Sequence, residues 1–571
     1  MTDVFKFAAL GSLILLPVTA GSTLAQAVPS AGNVARQTTD ISRAQAPAAQ
    51  LRDDTGPGHA LDLPDLPKLN RIIDPSGFTE VTYNLTAIHL VGAGLLPAST
   101  TDPLIAPYLN RAVTPSEIIA LRDQLTLMVV RQGYVNSGAV ITDPDGSDGM
   151  VEITLVAGAF EMTHITGLKG LSPAYITHRL HVRDGATVNV NALKVNYQQL
   201  LEDRNIASIN ASLLPGSRPG LAVLNLDIRE RKPTLSLFSQ SDRSPAVGAV
   251  RTGLNGAFHS LARPGDQLDG ELGRTKGLYD ARLAYETPIT GNDTSLNVFA
   301  SGSTGRIIEQ PYNALDLVSK SLVYGGGLTV PLYHNVGRAL RLNTSIDHVW
   351  VKTTLFGSTT LGRATDYSTA RSSLTYSYFS NQRAYVVAAT VAHGLTGPRQ
   401  NGIDAPDPHF WSIGLSGQYV AQTSRSGQKI ILRGQAQFAR RSLYPTESLA
   451  LGGAGTVRGY RQNATLGDRG EVVSAEYQWP LTDLHVPAGK GSGAWRDRIA
   501  VSIFADAGQI ANVQAAVKPS FAKLASVGAR AQWQVTNHVV IEGYYARPLN
   551  KSPAHTSFED NGLGFNLRYD F

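Results

Sequence analysis

From about Pro233 to its end the chain reads as one short segment after another with apolar residues at alternate positions and no helical period. Trp411, Ile413, Leu415, Gly417 and Tyr419 form one such series, Val473, Ala475, Tyr477 and Trp479 another, and Val539, Ile541, Gly543 and Tyr545 a third. A period of two puts every second side chain on one face of a β-strand. About 16 segments fit into this region, each near the ~9–11 residues that cross a bilayer at a tilt. The connections alternate in length: 290–293, 381–382 and 536–537 are short, whereas 304–317, 355–363, 396–408 and 441–470 are long. Tight turns at one rim and long loops at the other are the rhythm of a membrane barrel, broken here only by 481–495. No stretch beyond the N-terminus reaches the ~20 apolar residues of a membrane-crossing helix. Backbone polar groups must be satisfied internally in lipid, so a membrane form of this chain has to be a closed barrel.

The N-terminal end reads differently. Lys6 precedes an apolar run from Phe7 to Val18, too short to span a bilayer, and Ala25-Gln-Ala27 is a small-residue cleavage pattern. A secretory signal over 1–27 is therefore expected. Residues 28–77 are rich in Ala, Gln, Pro, Asp and Thr and read as a linker, with 41–53 as a candidate helix and Leu61-Asp-Leu-Pro-Asp-Leu-Pro67 extended by its prolines. The chain has no cysteine, which excludes disulfide and thiolate chemistry and suits passage through an oxidising periplasm. Its net charge of +5 comes without a Lys/Arg run, so no nucleic-acid partner is indicated.

Between linker and barrel, helical periods return. Thr114, Pro115 and Glu117 spell a capped helix start, Ile118, Leu121, Leu125 and Met128 recur at helical spacing, and Gly133 stops the run. With strands expected at 85–90, 134–141 and 151–156 and a helical piece at 104–109, residues 78–160 read as β-α-α-β-β. The order recurs over 161–231, with a strand from Ile165, helices at 173–180 and 191–202, and strands at 206–213 and 221–229. Such a pair resembles two polypeptide-transport-associated (POTRA) domains.

One loop carries an unusual demand. In Leu451-Gly-Gly-Ala-Gly-Thr-Val-Arg-Gly-Tyr460, Gly452, Gly453, Gly455 and Gly459 permit backbone angles that other residues resist. Among them stands Arg458, permanently charged and shaped to fit a carboxylate. On the strand that follows, Ile499, Val501, Ile503 and Ala505 share the face expected to meet lipid. Ser502, Phe504, Asp506 and Gly508 then point into the lumen, and the same parity turns Glu476 inward. A loop at 441–469 folded into the lumen is expected to pair Arg458 with Asp506 or, second, with Glu476.

Val457-Arg-Gly-Tyr460, Leu466-Gly-Asp-Arg-Gly470, Glu476 and Phe504-Ala-Asp-Ala-Gly508 together resemble the outer-membrane transporters of two-partner secretion, the TpsB or haemolysin-activation family, within the superfamily of POTRA-bearing barrel translocases and assembly factors. The likeness covers essentially the whole chain. It implies a transmembrane antiparallel β-barrel of about 16 strands over 232–571, behind two α+β POTRA domains. It also implies that the sixth external loop lies in the lumen against the wall, which suits Arg458 between strands 11 and 12. The partner would be a secreted exoprotein, a cognate passenger with an N-terminal secretion domain, held by POTRA sheet edges in the periplasm of a bacterium. The final strand, Leu563, Phe565, Leu567 and Tyr569 ending on Phe571, resembles the sorting signal read by the barrel assembly machinery. A plug helix is typical of the family, and 41–53 matches it poorly.

Nothing points to catalysis, a metal or a cofactor. The 13 histidines are scattered, the close pair His178 and His181 lacks a third ligand, and no nucleophile elbow or phosphate loop occurs. The alternatives are a factor that inserts other membrane proteins, disfavoured by having only two POTRA units, and a passive porin, disfavoured by having any. Deleting 78–231 should leave a barrel that inserts and exports nothing. Secretion by the barrel alone, assayed in the medium, would remove these units from the mechanism.

Overall fold

The computed structural model describes residues 61–62, 82–143, 149–291, 293–398, 406–423, 427–481, 499–513, 521–550 and 557–571. The expected signal, most of the linker and the 41–53 helix lie outside them.

The first α+β unit is organised by its capped helix, Pro115–Arg131. Thr114 Oγ accepts from the Glu117 N–H at 3.2 Å, and the Glu117 carboxylate accepts from the Thr114 N–H at 2.8 Å, so two helix-end donors are satisfied at once. Ile118, Leu121, Leu125 and Val129 are buried on a three-stranded sheet ordered Ala87–Val91, Met150–Val156, Gly138–Asp143. Three local expectations change. The 104–109 helix starts earlier, as Ala98–Ile105 followed by a 3-10 turn at Ala106–Tyr108, because packing overrides the weak helix preference of Ser99, Thr100 and Thr101. The strand expected from Tyr134 begins at Gly138, since the Ser137 N–H closes a turn onto the Tyr134 carbonyl. The 85–90 strand is two strands, Tyr83–Leu85 paired with Arg111–Val113, and Ala87–Val91 paired in parallel with Met150–Val156.

In the second unit the sheet runs Leu61–Asp62, Ile206–Pro215, Leu221–Glu230, Ala159–Thr166. Helices Pro173–Leu180 and Val190–Leu201 are capped by Ser172 and Asn189, and bury Ile176, Leu180, Leu193, Tyr197 and Leu200 against it.

Sixteen antiparallel strands then close into a barrel. The first, Thr234–Gln240, pairs with the last, Leu563–Asp570, over Ser236 to Gln240. The Phe571 N–H donates to the Leu235 carbonyl, so the terminal residue sits on the seam. Closure leaves no sheet edge in the wall. Burial follows the alternation: Trp411, Ile413, Leu415, Val473 and Ile503 are exposed on the outer face, whereas Ser502, Phe504 and Asp506 are buried inside. The connection expected to be long at 355–363 is instead a tight turn. Phe356 (φ 50°) and Gly357 (φ 69°) join strands Arg338–Leu355 and Ser358–Phe379, because two successive positive φ angles match the twist of a two-residue hairpin.

The second α+β unit docks on the rim of short turns. Arg204 reaches Glu286 at 2.6 Å, Glu202 accepts from the Gly337 N–H at 2.7 Å, and Arg179 bridges Asp203 and Asp293. Odd-numbered barrel strands run away from this rim. The connection between strand 11 (Lys429–Ala439) and strand 12 (Arg469–Pro480) therefore starts from the opposite one.

Candidate functional site

The connection 440–468 turns back into the barrel. Its arms pair as a small hairpin, Leu449–Leu451 with Thr465–Gly467. Leu449, Leu451, Val457 and Tyr460 pack on wall residues Val472, Ile510 and Leu524, so an apolar contact seats the loop before any charge is counted. Gly452, Gly453 and Gly459 hold φ of 104°, 101° and 87°. A Cβ on Gly459 would also lie 2.8 Å from the Ala546 carbonyl oxygen. Gly455 has no such angle and faces open space, so the tight geometry expected of it is absent.

At the tip, Arg458 is buried and each of its guanidinium nitrogens donates at least one hydrogen bond. Nε donates to Asp506 Oδ2 and Nη2 to Asp506 Oδ1, both at 2.8 Å, and the backbone N–H reaches the same carboxylate at 3.1 Å. Nη1 donates to Glu476 Oε2 at 3.0 Å and Nη2 to Ser474 Oγ at 3.2 Å. The guanidinium carbon lies 3.3 Å from the centre of the Phe504 ring, whose face attracts a cation. Asp506 and Glu476 are thus partners at the same time rather than alternatives. The reason is register: Ser474 pairs with Asp506 and Glu476 with Phe504, placing all four on one lumenal patch. Phe504 in turn needs Gly528 beside it, where a Cβ would come within 2.4 Å of the ring.

Glu476 is shared. It also takes Arg530 at 2.5 Å and Ser502 at 2.7 Å, with Arg433 at 4.0 Å, and Arg530 continues to Glu542 at 3.3 Å. Arg458, Arg433 and Arg530 therefore face Asp506, Glu476 and Glu542 in a charge-balanced cluster. Balance matters because a buried pair adds little net stability, while removing one member costs about 3–5 kcal/mol.

Sequence reasoning missed the other attachments. Tyr460 Oη donates to the Ala525 carbonyl at 2.9 Å. Arg461 bridges Asp560 at 2.6 Å and Glu309 at 2.8 Å, which belong to two other loops of the same rim. Farther round the wall, on strands 7 and 8, Glu447 accepts Arg371 at 2.6 Å and Tyr367 at 2.8 Å, and Arg371 also meets Asp347 at 2.7 Å. Asp468 caps the loop's base by accepting the N–H groups of Leu443 and Val513, each at 2.9 Å. Arg530 was legible from parity, because Val527, Ala529 and Ala531 alternate outward around it. The loop-to-loop partners had no such signal. Phe571 lies on the barrel seam, remote from this cluster. Among the described residues no group of His, Asp and Glu is arranged to hold a metal.

Two measurements test this geometry. Arg458→Ala leaves Asp506 buried without its partner, so adding Asp506→Asn should restore part of the lost thermal stability of the inserted barrel. A double variant less stable than Arg458→Ala alone would show that the two do not act as a pair. Glu559, in the rim loop beside Arg461, is pushed up to about 9 from its ordinary 4.5, first by burial and then by Asp560 and Asp242. The folded chain then holds an extra proton between these values, and stability should decline as pH rises through that interval. Glu559→Gln should flatten the decline in a thermal-unfolding series, and an unchanged slope would show that Glu559 is ionised in the fold.

Residues 247–531 match the haemolysin secretion/activation protein ShlB/FhaC/HecB family, and 83–158 match the ShlB-type POTRA domain. The outer membrane transporter CdiB of Escherichia coli O6:K15:H31 is 22% identical over 434 residues, 70% of each chain. The heme/hemopexin transporter protein HuxB of Haemophilus influenzae is 23% identical over 397 residues, 66% of this chain and 68% of that one. The solved structure of CdiB from Escherichia coli superposes with a TM-score of 0.62 at 18% identity, over 87% of this chain and 92% of that one. BamA from Haemophilus ducreyi lacking POTRA domains 1–3 gives 0.51 at 13% identity, over 86% and 100%, a likeness of fold alone. With its closed sixteen-stranded barrel, its α+β pair and the Arg-Gly-Tyr loop in the lumen, the chain belongs to the haemolysin secretion/activation family, the outer-membrane transporters of two-partner secretion.

Proposed function

We propose that this chain exports one or a few large β-rich exoproteins across the bacterial outer membrane, each a cognate passenger with an N-terminal secretion domain. In this reading the division is signal 1–27, linker 28–77, POTRA domains 78–160 and 161–231 in the periplasm, and a barrel over 232–571 with lumenal loop 441–469. Barrel assembly machinery would insert it by way of the strand ending at Phe571. The observation that carries the reading is the loop's placement between two rims. One rim holds the docked α+β unit, the other is the exit, and a loop seated by Arg458 stands across the path. The role of Gly452, Gly453, Val457, Gly459 and Tyr460 is to shape and seat that loop, and that of Arg458, Asp506 and Glu476 is to anchor it.

The sequence carries no nucleotide-binding motif, so in this reading work is drawn from folding or association of the passenger. No step calls for a catalytic residue or a cofactor. The reading as an insertion factor for other membrane proteins has only a likeness of fold behind it.

The test is co-expression with a candidate large secreted protein and assay of the medium. Arg458→Ala should lower secreted cargo per inserted barrel by about tenfold to a hundredfold, the weight of one charged hydrogen-bonded pair on a two-position loop. Export at the wild-type level would mean that the anchored loop has no part in transport.

A further inference from the structure

Away from the lumen, the rim opposite the α+β unit carries a charge arrangement that the fold itself leaves unbalanced. On strand 6 (Val318–Asn335) the even-numbered side chains face lipid, with Leu322 and Tyr324 exposed and Ser321 and Val323 buried. Lys320 belongs to that face. Directly opposite it in the ladder is Lys352 of strand 7 (Arg338–Leu355), which lies between the inward Val351 and Thr353. Side chains paired in this way have Cβ atoms about 5 Å apart, and like charges there repel. Among the described residues neither lysine has a carboxylate within ion-pair distance. Asp316 meets Arg306 at 3.3 Å and Asp366 meets His348 at 3.1 Å.

The depth of the pair follows from the strand. His334, near the far end of strand 6, reaches Glu202 of the docked unit. Fourteen positions separate it from Lys320, roughly 35 Å along the barrel axis at a tilt near 40°. The apolar band of such barrels is about 25 Å tall, so the lysines stand in the headgroup layer of the outer leaflet. One step below them the wall is hollow. Gly302 and Ala300 on strand 5 (Ser295–Arg306), with Ala281 and Gly270, line a groove of about 550 Å³ that Leu322 borders. Thr304 pairs with Lys320 and Gly302 with Leu322, so the groove begins where the charge ends. A Cβ on Gly302 would meet nothing nearer than 3.7 Å, which leaves room over it.

We propose that Lys320 and Lys352 bind the phosphate of an outer-leaflet lipid, one of whose acyl chains lies in the groove over Gly302 and Ala300. This rests on the outer-membrane reading. A phosphate between two ammonium groups turns their repulsion into two charge-assisted contacts, for which Lys acts as a point charge. Trp350, opposite Leu322 just below the pair, adds a ring of the kind that settles at the membrane interface. A lone lysine at a rim needs no ligand, since its stem carries the ammonium to water. What such a lysine lacks is the facing partner and the hollow beneath.

The test uses the full chain in dodecyl maltoside micelles, which hold no phosphate, with diphosphorylated lipid A as the probe. The wild type should retain the lipid, and Lys320→Gln combined with Lys352→Gln should lower its affinity at least about tenfold, the weight of one charged contact. Gly302→Leu should weaken binding with every charge in place, and unchanged binding would remove the groove from the site. Lys523 faces lipid at the same rim on strand 14 (Phe521–Gln534), between the inward Ala522 and Leu524. Lys523→Gln should change nothing, and an equal loss there would reduce the effect to general surface charge. Equal retention of dephosphorylated lipid A would overturn the phosphate contact, and displacement by an equal concentration of inorganic phosphate would overturn the lipid. Stability supplies an independent sign. The double change should raise the unfolding temperature in plain micelles by relieving repulsion, and lower it relative to the wild type once lipid A is present. A shift of the same sign in both would refute the site. If the wild-type chain is found in another membrane, the outer-membrane reading fails, and the micelle result still decides the pair.

Discussion

A guanidinium cannot shed its charge, so Arg458 can sit buried in the lumen only where carboxylates wait at fixed positions. Asp506 and Glu476 are fixed because they stand on adjacent strands of a closed ladder, whose register cannot slip without turning every lipid-facing side chain inward. The rigidity of the wall is thereby lent to a loop that has almost no regular structure of its own. Phe504 below the guanidinium, Gly528 below Phe504, and Gly508, where a Cβ would strike Leu451, are steric consequences of bringing the loop this close.

The attachment is also divided. Apolar packing of Leu449, Val457 and Tyr460 seats the loop on strands 12 to 14, Glu447 holds its root to strand 8 through Arg371, and Arg461 ties it to neighbouring rim loops. Most of the polar ties are ionic, and each depends on the loop being held at this one position against the wall. At the other rim, ion pairs fix the second α+β unit against the barrel turns.

Much of the fold is legible in the sequence. Alternation from Trp411 to Tyr419 or from Leu563 to Phe571 has one reading in lipid, since the period of a strand is two and unpaired backbone is not tolerated there. The same parity turned Asp506 and Glu476 inward, and Thr114, Pro115 and Glu117 marked a helix start through capping chemistry that is local. Expectations failed where local preference was weak: the helix at Ala98–Ile105 runs through Ser and Thr, and the turn at Phe356-Gly357 lacks the usual Asn-Gly signal.

Sequence by itself determined the class of fold, which side chains face lipid and that a buried arginine needed acidic partners, because periodicity, helix capping and charge are properties of neighbours along the chain. Tertiary structure alone decided that Arg458 is shared between Asp506 and Glu476, that Glu476 is shared again with Arg530, that Arg461 reaches Glu309 and Asp560, and that Leu61–Asp62 lies on the edge beside Ala211. Those contacts join residues far apart in sequence, and their partners are set by strand register, barrel closure and loop path rather than by any local preference.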